Sequence, residues 1–214
     1  MQNGMIGFDP EVVSKSINAV KEAYSSYNQA MNIDLQSKFV GKMAEGWACN
    51  QAIQFFNTYK SGIDGLFSAA DRTFRSVIQT MNDGARSWAN KTNTTYSDIQ
   101  PNETTNNCDV SLIRENINGV RGIDPSISSE AISNLNTCVS NASGALSNAV
   151  SAVQNCGFIG GDQSANLIAS LNKINQDLTN VINDTNSSLK TAIDSTNEQY
   201  AQISASTAQS FTAQ

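Results

Sequence analysis

Proline occupies only three of the 214 positions, Pro10, Pro101 and Pro125, and none lies inside the chain's long apolar repeats. A proline inside a helix removes a hydrogen bond and clashes with the preceding turn, so proline-free stretches are what long helices need. In four such stretches apolar residues recur at steps of three and four. The first seam is Val13, Ile17, Val20, Tyr24, Tyr27, Met31, Leu35 and Phe39, reaching Met43. The second runs from Ile53 and Phe56 through Ile63, Leu66, Phe74 and Met81 to Trp88. The third runs from Ala131 through Leu135, Cys138 and Ala142 to Val153, the fourth from Leu167 through Leu178 and Leu189 to Tyr200 and Ile203. Such spacing keeps one face of each helix against a neighbouring helix.

The start and stop signals agree. Asp9 caps, Pro10 suits the first turn, and Glu11 favours the positive helix end. Gly46 stops the first helix, which at 1.5 Å per residue is about 50 Å long. The opening is then repeated, with Phe8-Asp9-Pro10 echoed by Ile123-Asp124-Pro125. Val12, Ile17 and Val20 have apolar counterparts in Ile127, Ile132 and Leu135, while Val13 is replaced by Ser128. Helix, glycine-marked turn, helix is therefore written twice. Residues 1–89 form one hairpin and 123–214 the other. Residues 90–122 form a linker, with room for a short helix at Val110–Ile117. A single hairpin exposes an apolar stripe, and two packed together bury both, which predicts an all-α, elongated four-helix bundle. The aromatics of the first hairpin imply a thick core, and the alanines of the third helix imply close approach. Gly62, Gly65 and Gly84 fit either close helix contact or local bending.

Composition removes several functions. There is no histidine, which excludes Ser-His-Asp and Cys-His catalysis, histidine metal sites and the usual pH switch. A net charge of −6 disfavours a nucleic-acid surface. No Walker loop, GxGxxG, HExxH or EF-hand pattern occurs, so no catalytic, cofactor or metal residues are expected. Asp177, Asp184 and Asp194 fit a solvated helix face, and Asp162 fits a cap for a helix starting near Ser164. Cys49, Cys108, Cys138 and Cys156 lack CxxC spacing. They fit either disulfides or buried thiols. No apolar run is long enough to span a bilayer. Met1–Phe8 has neither a basic nor a continuous apolar region, so a Sec signal is not expected.

The bends carry the most specific signal. The first is Glu45-Gly46-Trp47-Ala48-Cys49, a single Trp at the turn of a helical hairpin. The second is Gly157-Phe158-Ile159-Gly160. A small residue lets the chain reverse. The aromatic beside it either caps the core or protrudes as an anchor. For Trp47 we expect a ring half buried at the tip; Phe158 fits a core position. This arrangement resembles the WXG100, or ESAT-6-like, family of small proteins exported by type VII secretion systems. Trp47 and Ala48 fit its Trp-x-Gly turn, with Cys49 in place of the glycine; Gly160 keeps the glycine, with Phe158 in place of the Trp. The likeness spans residues 8–89 and 123 to about 205. The family's export signal, Tyr followed four residues later by Asp or Glu, is not met after Tyr59, Tyr96 or Tyr200.

The resemblance implies antiparallel packing of the hairpins, with the bends at opposite ends. A Cys49–Cys156 bridge would then be impossible, whereas Cys108–Cys138 would remain within reach. It also implies a non-enzymatic protein acting through protein partners: a secretion ATPase, a co-secreted effector, a second WXG100-like protein or a second copy. The turn residues Gly46, Trp47, Ala48, Phe158 and Gly160 are the candidate contacts. The expected location is secreted or at the cell surface, with a cytoplasmic stage before export and no cofactor or small-molecule substrate. The other reading is a structural or surface helical protein, such as a filament, stalk or adhesin subunit.

Overall fold

The computed structural model describes residues 8–156 and 162–212. The fold is an all-α, elongated, antiparallel four-helix bundle. The first long helix begins as α1 (Pro10–Asn28), continues through π-helical turns at Gln29–Asp34 and Gln36–Val40, and ends as α2 (Gly41–Gly46). α3 (Asn50–Thr92) returns. α4 (Pro125–Gln154) and α5 (Asp162–Thr212) make the second hairpin. The first helix packs on α4, α4 on α5, α5 on α3 and α3 on the first helix, closing a square.

The repeated start signal folds twice in the same way. Asp9 accepts from the N–H groups of Glu11 and Val12, and Asp124 from those of Ser126 and Ile127. These bonds satisfy donors that the first helical turn leaves free. The first seam is buried throughout, from Val13 to Met43. From Tyr27 onward its steps are all four: Tyr27, Met31, Leu35, Phe39, Met43. An α-helix of 3.6 residues per turn would carry such a series off the core face. The π turns, with i→i+5 bonds, hold more residues per turn and keep the series inward.

The bends lie at opposite ends. Gly46 sits against Ile127 at the start of α4, and Asn134, further along α4, donates to the Lys38 carbonyl, so α4 runs antiparallel to the first helix. Gly62 faces Val181 while Trp47 faces Thr196, so α5 runs antiparallel to α3.

In the linker and the fourth helix the structure departs from the sequence reading. Residues 110–117 form turns, not a short helix, although Ile113 is buried. The fourth seam stays buried through Leu189 with Thr185 as a polar member, then Thr196 takes the next buried place and Ile203 is 50% exposed. The reason is length: α5 overruns the first bend and leaves the bundle, and every residue of 201–209 is exposed. Close packing does not explain Gly65, which has open space around it, and Gly62 makes only an ordinary contact with Val181. Phe158, Gly160 and the Asp162 side chain lie outside the described residues.

Candidate protein-binding surfaces

At the first bend the chain reverses through two extended residues. Trp47 and Ala48 pair antiparallel with Gly122 and Ile123 in a two-residue ladder. The Asp124 N–H donates to the Gly46 carbonyl at 2.7 Å. A Cβ on Gly46 would come within 2.8 Å of Ile127, so glycine is required here for contact between the two halves. The Trp47 ring is 0% exposed, packed on Phe55 and Phe56. Its Nε1 donates to Thr196 Oγ1 at 3.3 Å, and Thr196 in turn donates to the Ala192 carbonyl. The half-exposed ring expected from the sequence is thus not found. The overrunning α5 covers the edge that an isolated hairpin would leave open. Gly46, Trp47 and Ala48 contact the second half of their own chain.

The linker is a strap. From Asn93, in the left-handed conformation, the chain runs back along the groove between the first helix and α3. Carboxamides hold its backbone. Asn82 donates to the Ile99 carbonyl at 2.9 Å and accepts from the Ile99 N–H at 3.0 Å. Asn32 donates to the Thr105 carbonyl and accepts from the Asn107 N–H. Gln36 does both with Asp109, at 2.8 and 2.9 Å. Each amide turns an N–H donor and a C=O acceptor toward the strap backbone, as a neighbouring β-strand would. On α3 the strap-facing side chains recur as Lys60 and Asp64, Asp71 and Arg75, Asn82 and Arg86. The repeat of eleven residues advances about 16 Å along a helix. An extended chain covers that in about five residues, which is close to the spacing of the strap contacts.

Asp71 is the charged group at the middle of this row, bonded by Tyr24, Arg75 and Thr104. Burial alone would raise its carboxyl, but bonds from Tyr24, Arg75 and Thr104 outweigh that and hold it below the usual range. Burial, helped by the bond to Asp71, pushes the Tyr24 phenol up to about 12. The Tyr27 and Tyr59 hydroxyls are buried without a hydrogen-bond partner. None of the four cysteines is in a disulfide; Cys108, within the strap, is half buried and the other three are buried.

A third surface is open. Between α3 and α5, near the first bend, lies a groove of about 760 Å³. Phe55 and Tyr59 form its floor. Hydroxyls such as Thr58, Ser188 and Thr191 line its walls, and Asp184 is its only charged group. Among the described residues there is no cluster of three or more metal-ligating side chains and no helix long and apolar enough to cross a membrane.

The sequence reading found the bend and missed both the strap and the groove. The signal for the strap was present: Asn32 beside Met31 and Asn82 beside Met81 place a carboxamide at the margin of an apolar seam, where it needs a partner. Set against known proteins, the chain matches no family model, no curated protein and no solved structure.

Proposed function

We propose that this is a non-enzymatic, ESAT-6-like protein of a bacterial type VII secretion system, working through protein–protein contacts as an exported factor or as a partner of one. One observation carries the reading: two helical hairpins joined in one chain pack antiparallel, with their bends at opposite ends. The chain thereby supplies for itself the pairing that the resemblance leads one to expect between separate hairpins. The exterior, rich in Ser, Thr and Asn, suits exposure outside the cell. The buried bend means that partner contacts come from the outer helix faces, the strap and the projecting end of α5. A secretion ATPase or a co-exported protein is the expected partner.

The test is export. The protein is produced in a bacterium with an intact type VII ATPase and in the same strain lacking it, and culture supernatants are compared. Accumulation outside only when the ATPase is present supports the proposal. Equal release from both strains contradicts it, and retention in both contradicts the exported-factor form; surface display in both would favour the structural or adhesin reading.

A further inference from the structure

The groove between α3 and α5 is stopped at both ends. At one end Gly62 lies against Val181. At the other Gln51 donates to Gln199, and beyond it Trp47 donates to Thr196. Between these contacts the groove follows α3 for about 16 Å and opens along one side. A partner's helix or extended segment cannot lie along a trough that is closed at each end. A compact molecule can, and about 760 Å³ falls within the roughly 300–1,000 Å³ of small-molecule sites.

The lining sets the chemistry of that molecule. Phe55 and Tyr59 make the floor apolar. The walls are rich in acceptors. Thr58 donates its hydroxyl hydrogen to the Gln54 carbonyl at 3.3 Å, and Thr191 donates to the Ser187 carbonyl at 3.1 Å. A hydroxyl has one hydrogen to give, so toward a ligand both can only accept. Asp184 is the only charged lining group, and among the described residues it stands in no ion pair. No lysine or arginine lines the groove. An anion would therefore leave water for a carboxylate and acceptor oxygens, with no charge to compensate it.

We propose that the groove binds a small organic cation, an ammonium group carried on an apolar body. Counted in antiparallel register from Gly62 and Val181, Thr58 on α3 stands across from Asp184 on α5. The ammonium, which has donors only, sits between these two acceptors. The apolar body lies on Phe55 and Tyr59 and points toward the first bend, where Thr191 accepts from a second donor if the ligand carries one. This ligand site goes beyond the protein-binding reading and does not depend on it. An exported chain whose groove takes no amine sinks the inference alone. A chain that binds amines and leaves the cell without the ATPase sinks the secretion reading alone.

Three matched probes test it: phenylbutylamine, phenylbutanol and phenylbutyrate share one body and differ in the charge of the head group. At about pH 7, where an alkylamine is charged, the amine should shift amide NMR signals saturably within residues 51–62 and 181–195. A dissociation constant of about 1 mM is the order expected for a ligand of this size. The alcohol should bind more weakly and the carboxylate not at all. Asp184→Asn, at an exposed position, should weaken the amine about fivefold, the upper end for an exposed ion pair, with an unchanged melting temperature. Asp194→Asn makes the same charge change on the same helix outside the groove and should leave binding as it was. Ser188→Phe, which fills the groove from an exposed position, should abolish it. Equal binding of the three probes overturns the proposal, as does an equal loss in the two aspartate variants. So does the absence of saturable shifts up to about 20 mM, well beyond what a fitted ligand of this size needs.

Discussion

The two hairpins begin with the same cap and end with different cores. The first buries Tyr24, Tyr27, Phe39, Trp47, Phe55, Phe56, Tyr59 and Phe74, whereas the buried residues described in the second include no aromatic. α4 buries alanines instead, among them Ala131, Ala142, Ala145 and Ala149. Among the described residues, only the first hairpin is strapped on its outer side. Rings are wide, and they hold the first helix and α3 far enough apart to leave a trough that a strand can fill. Alanines let α4 settle closely between the first helix and α5. One repeated motif has thus been specialised into a broad, clasped half and a thin, close-packed half.

The largest expected effect is at the joint between the halves. Trp47→Ala should cost about 3–5 kcal/mol, the loss for a buried aromatic, read from the urea unfolding midpoint. Any loss of export or partner binding should track unfolding. A loss below about 1 kcal/mol would show that the ring is not a shared core residue. Next comes the clasp. Asn82→Leu leaves the Ile99 N–H and carbonyl and the Tyr96 hydroxyl without their partner. It should cost about 1–3 kcal/mol, and amide exchange should quicken around Ile99 more than in α4. Uniform quickening would mean that the strap is no separate unit.

The thin half should fail in the opposite sense. Ala142→Leu adds volume where α4 has none to give, and it should destabilise by about 1–3 kcal/mol. A neutral or stabilising result, measured by melting, would show that the alanine seam is loosely packed. The smallest effect is acid release of the strap. The Asp71 pKa is lower in the folded state, so its contribution is complete above the ordinary carboxylate value of 3.8 and is lost as the pH falls through the lower folded value. Exchange near Thr104 should rise below about pH 4, where carboxylates protonate, before the α4 amides respond. Asp71→Asn should flatten that rise.

Much of this was legible in the residues. Steps of three and four gave the helices, and Asp-Pro at two places gave the repeat, because caps and periodicity are local signals. The burial of Trp47 was not legible, since it depends on how far α5 overruns the bend. That in turn depends on Thr196, a polar residue whose hydroxyl is satisfied by its own helix and by the indole. The strap was hidden for a related reason. A polar stretch with a proline has the same composition whether it lies on solvent or on a row of carboxamides. The amides that decide the matter, Asn32 and Asn82, lie far from it in sequence. The open groove is a space between helices, and no pattern in either strand of sequence records it.

The central claim is antiparallel packing of the two halves, and a distance between the bends tests it most directly. Spin labels at Glu45→Cys and Asn155→Cys, in a Cys108→Ser background, lie at opposite ends of α4. Its 30 residues separate them by about 45 Å. Pulsed electron–electron resonance should give a distribution centred near that value, with one copy labelled and diluted among unlabelled copies. A distribution centred at about 20 Å, the width of two packed helices, would place both bends at the same end and contradict the antiparallel bundle.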